Sequence, residues 1–367
     1  MPVDHLSSKP LYQQLKETLR RHILEGELQP GALIPSERQL CEQYGVSSTT
    51  VRRALQELVR DGLIHRRAGI GTFVSSPSRR TILLIVAGFD NPEWLKRSYF
   101  FSDLISGIAT VTWKNNAIFS VVHVPASACA DGGMESLIST IMDETSYDGF
   151  LMRLEDNLAE EYLTPFFNTG FPYVVIKRYL PHRPVNCVVL DDEQVGLEAT
   201  NHLIGLGHTR VGLITTRGLI HGSDRYKGYC GSLEAHGIKV DPSLVCWAKD
   251  FYEEYGYEAA AKLLTLEDRP TAIFAASDLL AVGAYSAIKD AGLRMPEDVA
   301  VVGCADIPAA ASLSPSLTTV RVSYYDLGVQ STKLLLDIIS NTVQPPAKVT
   351  IEHSLIVRES CGSGLKA

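Results

Sequence analysis

The stretch PSERQLCEQYG (35–45) is separated by Val46 alone from SSTTVRRALQELVRDG (47–62), and that spacing decides the architecture of the N-terminal region. In the first stretch Ser36 and Gln39 have the spacing of a reciprocal helix cap, and Gly45 stops the short helix that Leu40 and Tyr44 make apolar on one side. A new helix starts at Ser47-Ser48. Val51, Ala54, Leu55, Leu58 and Val59 fall on its inward side, while Thr49, Arg52 and Gln56 recur at spacings of three and four on an outer face. Arg53, Glu57 and Arg60 share a neighbouring face. Two helices joined by so tight a turn form a helix-turn-helix.

Working outward, Leu11, Leu15, Leu19 and Ile23 recur every four residues, with Tyr12 and Leu24 beside them, which predicts a first helix over 10–25. Gly26 and Pro30-Gly31 end it. Downstream, LIHRRAGIGTFV (63–74) alternates apolar and polar residues around a glycine-containing turn, a small hairpin or wing with Arg66 and Arg67 at its base. Three helices, a tight turn and a wing in one basic block point to duplex DNA. Arg52 and Gln56 are side chains that can pair bidentately with guanine and adenine edges, and hydroxyls at the helix start can reach phosphate.

Charge supports this division. The chain carries 34 Lys+Arg and 42 Asp+Glu, a net of −8. Residues 1–80 hold 12 basic and 8 acidic groups, a net of +4, so the remainder, with 22 and 34, carries −12. A basic reading head on an acidic body is the organisation implied.

The first 80 residues resemble the GntR-type winged helix in their PSERxL, VSxxTVRxALxxLxxxGL and GxGTFV elements. The resemblance assigns DNA contacts to Arg38, Thr49, Thr50, Arg52, Gly69 and Gly71. It also marks a departure at Ser48, where an arginine is common, so the operator is expected to differ from the family's usual one.

After a short polar linker at 77–80, apolar β-type runs alternate with helical stretches. Strands are expected at 81–88, 118–124, 149–152, 173–177, 187–190, 210–215, 271–275 and 299–303, with helices at 101–115, 193–206, 224–237, 255–266 and 278–291. Alternation of this length predicts two lobes of parallel sheet covered by helices, with a ligand at the carboxyl ends of the strands between them. The chain is therefore read as multidomain: a winged helix-turn-helix (α+β) over 1–76, then a two-lobed α/β periplasmic-binding-protein-like domain over 81–361.

The body resembles the LacI/GalR-type effector domain, most clearly in SDLLAVGAYSAIKDAGLRMPEDVAVVGCADI (277–307), SPSLTTV (314–320) and SLIVRES (354–360). A GntR-type head on a LacI-type body is the arrangement of the arabinose repressor group. By that resemblance Phe100 and Phe101 line the ligand pocket, Arg225 grips the ligand, Phe251 stacks on its ring, and Ser277 lies at the mouth of the second lobe. Where the family has a carboxylate before Asp306, this chain has Ala305, and Lys177 stands where an acid is common. Arg153, at another strand end, is expected to face the same cleft. Exchanging acids for cations points to a sugar acid or sugar phosphate rather than a neutral sugar as effector.

The expected function is a homodimeric, cytoplasmic repressor of carbohydrate-use genes that binds a double-stranded DNA operator under control of that effector. A sugar-binding protein of a transport or sensing system is the alternative. It explains the body but not the head, and MPVDHLSSKP lacks the apolar run of a signal peptide. The longest apolar run, 82–89, is too short to span a bilayer, so no membrane partner is expected. Seven scattered cysteines without CxxC spacing argue for reduced thiols. No cofactor or metal site is expected and an enzyme is disfavoured: His202 and His208 have the wrong spacing for helical metal ligands, and Asp191-Asp192 has no nucleophile beside it.

Overall fold

A computed structural model describes residues 9–67, 70–75, 80–89, 99–130, 132–144, 147–156 and 158–363. Gly69 and linker residues 77–79 lie outside the described residues. The chain divides into two compact units, Met1–Arg80 and Thr81–Ala367.

In the first unit α1 (Leu11–Leu24), α2 (Glu37–Tyr44) and α3 (Ser48–Arg60) precede a hairpin of β1 (Ile64–Arg67) and β2 (Gly71–Val74). The Ser36–Gln39 cap of α2 is reciprocal, and Gly45 ends that helix in the left-handed conformation at φ 66°. Leu15, Leu19, Leu40, Val51, Leu55, Leu58, Ile64 and Val74 form the core, each contributing about 1.5–3 kcal/mol on burial. Val59 departs from the expectation and is 39% exposed. The 51, 54, 55, 58 stripe already fills the inward arc, and Val59 lies about 100° round the helix from Leu58. The arginines of the wing also differ from expectation. Ile64 pairs with Val74 at the base, whereas Arg66 pairs with Thr72 and Arg67 with Gly71 next to the turn.

The second unit holds two six-stranded sheets. The N-lobe sheet has the order β13-β7-β6-β5-β3-β4, from β3 (Arg80–Ala87), β4 (Ala117–Val124), β5 (Gly149–Leu154), β6 (Tyr173–Ile176), β7 (Cys187–Leu190) and β13 (Lys348–Ile351). Its helices are α4 (Tyr99–Lys114), α5 (Ala126–Ala130), α6 (Gly133–Glu144), α7 (Thr164–Asn168) and, from late in the chain, Tyr324–Ile339. The C-lobe sheet has the order β14-β12-β11-β10-β8-β9, from β8 (Val211–Thr216), β9 (Val245–Ala248), β10 (Ala272–Ala275), β11 (Ala300–Ala305), β12 (Thr318–Val322) and β14 (His353–Ile356). Its helices are α8 (Asp192–Gly205), α9 (Ile220–Ala235), α10 (Glu253–Leu264) and α11 (Asp278–Asp290), and the late N-lobe helix is α12. Residues on both sheet faces are apolar and buried, as parallel strands between helix layers require. In the α8–α9 pair the backbones touch: a Cβ on Gly228 would lie 1.9 Å from the Glu193 carbonyl oxygen.

The chain crosses between the lobes three times, after β7, after β12 and between β13 and β14. Two crossings end in helix caps, Asp191 accepting from the Gln194 amide and Ser323 from the Asp326 amide. The third explains why β14 runs against its neighbour. β12 leaves the C-lobe at the crossing end and β14 enters there, so β14 pairs antiparallel to β12. The seven cysteines form no disulfide. No helix of the described residues is long and apolar enough to cross a membrane.

Candidate functional sites: a polar head face and an interlobe cleft

In the head, Ser47 caps α3 through the Thr50 amide and touches the Thr50 hydroxyl at 2.9 Å, which leaves Ser48 and Thr49 exposed at the helix start. Arg52 and Gln56 are exposed one and two turns further on. Arg53 is used differently: its guanidinium lies 3.9 Å from the Tyr12 ring centroid, packing α3 on α1. Lys16 reaches Glu57 and Asp61 on the same side. The two faces read from the sequence therefore have separate surroundings. Glu37, at the start of α2, contacts Arg52 at 3.4 Å and Arg66 of the wing at 3.3 Å, so one carboxylate gathers α2, α3 and the wing. Arg38 is exposed and bound to Glu42 at 2.9 Å. Arg67 lies over Phe73, with 5.2 Å to the centroid. Gly71 has φ 149°, and a Cβ there would meet Leu33 at 2.6 Å. Glu37 was missed in the sequence because an acid on a DNA-facing element reads as a mere cap neighbour.

In the body a cleft of about 390 Å³ is lined by residues at the carboxyl ends of strands of both lobes. Phe100, Arg153, Lys177, Arg225, Phe251, Ser277 and Asp306 all line it. Phe101 does not: it packs against the hydrophobic core, because adjacent residues on α4 point about 100° apart. Lys177, Ala305 and Asp306 have φ of 58°, 136° and 57°, so non-glycine positions with positive φ stand in both walls of the cleft.

On the C-lobe side Arg225 is tied down. Its Nε donates to Asp192 at 2.9 Å, a second nitrogen contacts the same oxygen at 2.7 Å, and a third donates to the Ala276 carbonyl. Asp306 accepts from Arg321 at 2.7 Å and from Arg358 at 2.6 Å. Asp278 accepts from the Ile307 amide at 2.9 Å and the Thr319 hydroxyl at 2.6 Å, and burial pushes its carboxyl up to about 6. Ser277 caps α11 through the Leu279 amide. Phe251 stacks on His221 with ring centroids 5.0 Å apart.

On the N-lobe side Arg153 lies over Phe89, and Lys177 donates to the Tyr324 hydroxyl at 3.0 Å. Phe100 stacks on Tyr324 at 4.7 Å. Among the described residues, Asp156 with His221 and the Tyr179 hydroxyl donating to Asp224 at 2.8 Å bridge the lobes. Burial alone would raise the Asp156 carboxyl, but His221, Arg153 and Lys177 hold it well below the usual carboxylate range. Sequence reasoning missed Asp156 and Tyr324. Asp156 follows the strand read at 149–152 and the strand-end rule could have found it, whereas Tyr324 follows β12, a strand that was not read.

A winged helix-turn-helix joined to a two-lobed cleft defines a DNA-binding regulator with a small-molecule-binding body. Residues 11–74 match the family of bacterial regulatory proteins of the gntR type, and residues 200–361 match the periplasmic binding protein-like domain. The arabinose metabolism transcriptional repressor of Geobacillus stearothermophilus is 29% identical over 365 residues, which span 96% of this chain and 97% of that one. The HTH-type transcriptional regulator CelR of Thermobifida fusca is 30% identical over 317 residues, 84% of this chain and 88% of its own. The solved CelR–cellobiose complex superposes with a TM-score of 0.68 at 28% identity, covering 86% of this chain and 91% of that one. The chain belongs to this family of HTH-type transcriptional regulators, with a gntR-type head and a LacI-type effector body.

Proposed function

We propose that the protein is a homodimeric, cytoplasmic repressor of carbohydrate-use genes whose operator occupancy is set by a sugar-like effector in the interlobe cleft. The observation that carries this reading is the cleft itself, where aromatic faces and polar groups from both lobes converge, on a chain whose head presents Thr49, Arg52, Gln56 and Arg66 to solvent. Ser48, Thr50, Arg38, Arg67 and Gly71 lie on the same helices and wing and serve phosphate or groove contacts in this reading. The cleft is read as a binding site rather than a catalytic one, since the relatives that match are transcriptional regulators.

The dimer is supported by the edge of the N-lobe. Trp113 of α4 is 80% exposed, and Ile118 and Val121 are exposed on the edge strand β4. An apolar edge of this kind is covered in a stable protein, and a second copy of the chain would cover it. Two heads would then read half-sites one helical turn or a multiple apart. Selection of bound sequences from random duplex DNA, with the full chain and with a panel of sugars, tests this. Paired half-sites whose retention changes with one sugar are expected. Absence of any enriched sequence would remove the regulator reading, and enrichment of single half-sites by a monomer would remove the dimer.

A further inference from the structure

The charges of the cleft are distributed unevenly between its two walls. On the C-lobe wall these charges stand in direct ion pairs: Arg225 with Asp192, and Asp306 with both Arg321 and Arg358. The N-lobe wall is different. Arg153 and Lys177 come from the carboxyl ends of the neighbouring parallel strands β5 and β6. Among the described residues neither makes an ion pair. Arg153 is 6% exposed, its Nε has no hydrogen-bond partner, and one terminal nitrogen donates to the neutral Leu154 carbonyl. Its guanidinium is 5.2 Å from the Phe89 centroid. The Lys177 ammonium lies 5.7 Å from the Phe100 centroid and 5.1 Å from that of Tyr324, and its hydrogen bond goes to the Tyr324 hydroxyl.

Aromatic faces hold a cation in place without neutralising it. A buried charge that lacks a counter-ion is costly, and burial accordingly lowers the Arg153 pKa. The carboxylates in reach act on these cations through space and form an ion pair with neither. Asp156 faces both and offsets part of their charge, because burial lowers the pKa of its partner His221; Asp103 is exposed, and burial pushes the Asp250 carboxyl up toward its neutral form. Glu155, half-buried in the same cleft, is engaged by other groups and attracts Arg153 through space.

We propose that the effector is an anionic sugar derivative whose carboxylate or phosphate lies between Arg153 and Lys177, with its hydroxylated ring toward the His221–Phe251 stack. This rests on the cleft being the effector site. Two cations on adjacent strand ends would donate to both a neutral sugar and an anion, but only the anion adds the direct counter-charge that both lack.

Calorimetric titration of the full chain with matched pairs tests the proposal: galacturonate against galactose, gluconate and glucose 6-phosphate against glucose, and inorganic phosphate. The acid or the phosphate ester is expected to bind at least about tenfold tighter than its neutral parent, and the preference should weaken as salt is raised. Whichever of the carboxylate and phosphate arms is stronger identifies the source of the anion. In Lys177→Met the preference should shrink to about twofold, and Lys177→Arg should restore part of it. Arg153→Met should do the same, with circular dichroism reporting whether its buried site still folds; the lysine variants keep the test decisive if it does not. Equal or tighter binding of the neutral sugars overturns the anionic effector and leaves the ligand-controlled repressor intact. Inorganic phosphate binding as tightly as the best sugar overturns the sugar derivative. No binding by any compound, with operator affinity unchanged throughout, overturns both readings.

Discussion

The head and the body place their charged residues in opposite environments. In the head, Arg38, Arg52 and Arg66 are exposed and their ion pairs with Glu42 and Glu37 are open to solvent. Such pairs contribute about 0–1 kcal/mol to stability, so these arginines are available to a partner at little cost to the fold. In the body, Arg225 and Asp192 are sealed into the wall of the cleft, and Asp278 is fully buried. There a charge is part of the scaffold, and removing its partner damages the wall. The difference teaches where to look for function in each unit: among exposed residues that the head does not need for folding, and among buried residues that the body has left incompletely paired.

The strongest way to break this comparison is Asp192→Ala, which strands the buried Arg225. Urea denaturation should show about 3–5 kcal/mol lost from the body, and a loss below about 1 kcal/mol would mean that the Arg225 environment is wetter than its burial implies. Next is Leu55→Ala in the head core, expected to cost about 2–5 kcal/mol. Operator binding should disappear while the thermal transition of the body stays in place, and joint unfolding would show that the two units are not independent. A third experiment uses pH. The Asp278 carboxyl, normally near 3.8, is pushed up to about 6 in the fold. Its contribution is therefore complete below 3.8 and is lost as pH rises through about 6. Relative to Asp278→Asn, the natural protein should lose roughly 2–3 kcal/mol between pH 4 and pH 7; a pH-independent difference would contradict the shift. The smallest effect is Arg52→Ala, with about 1–3 kcal/mol lost from specific operator binding and no change in stability. Electrophoretic titration on the selected operator measures it, and unchanged affinity would transfer base reading to another side chain.

Much of the fold was legible because periodicity is local. The cap at Ser36, the stop at Gly45 and the apolar stripe of α3 lie within one turn of the residues they organise. Seven of the eight strands expected from apolar runs are buried on both faces; the eighth, β4, is an edge strand whose exposed positions include the apolar Ile118 and Val121. The strands that went unread are β9, β12, β13 and β14, and for β13 and β14 the exposure pattern explains the difficulty. β13 and β14 mix exposed, half-buried and buried positions, as edge strands do, so their composition reads as loop. The cleft was legible at Arg153 and Lys177, which stand at the ends of apolar runs, and at Arg225 and Phe251, which the family resemblance supplied. Phe101 was misplaced because it lies about 100° further round α4 than Phe100 and is not among the residues lining the cleft. His221 was not found because its partner Asp156 is far away in sequence and belongs to the other lobe.

The three crossings between the lobes have a mechanical consequence. One tether would let the lobes tumble, and two would let them twist. Three short tethers set side by side, two of them locked by the caps at Asp191 and Ser323, resist sliding and twist and leave bending as the soft motion. Whatever enters the cleft can therefore be registered by this body largely as one angle.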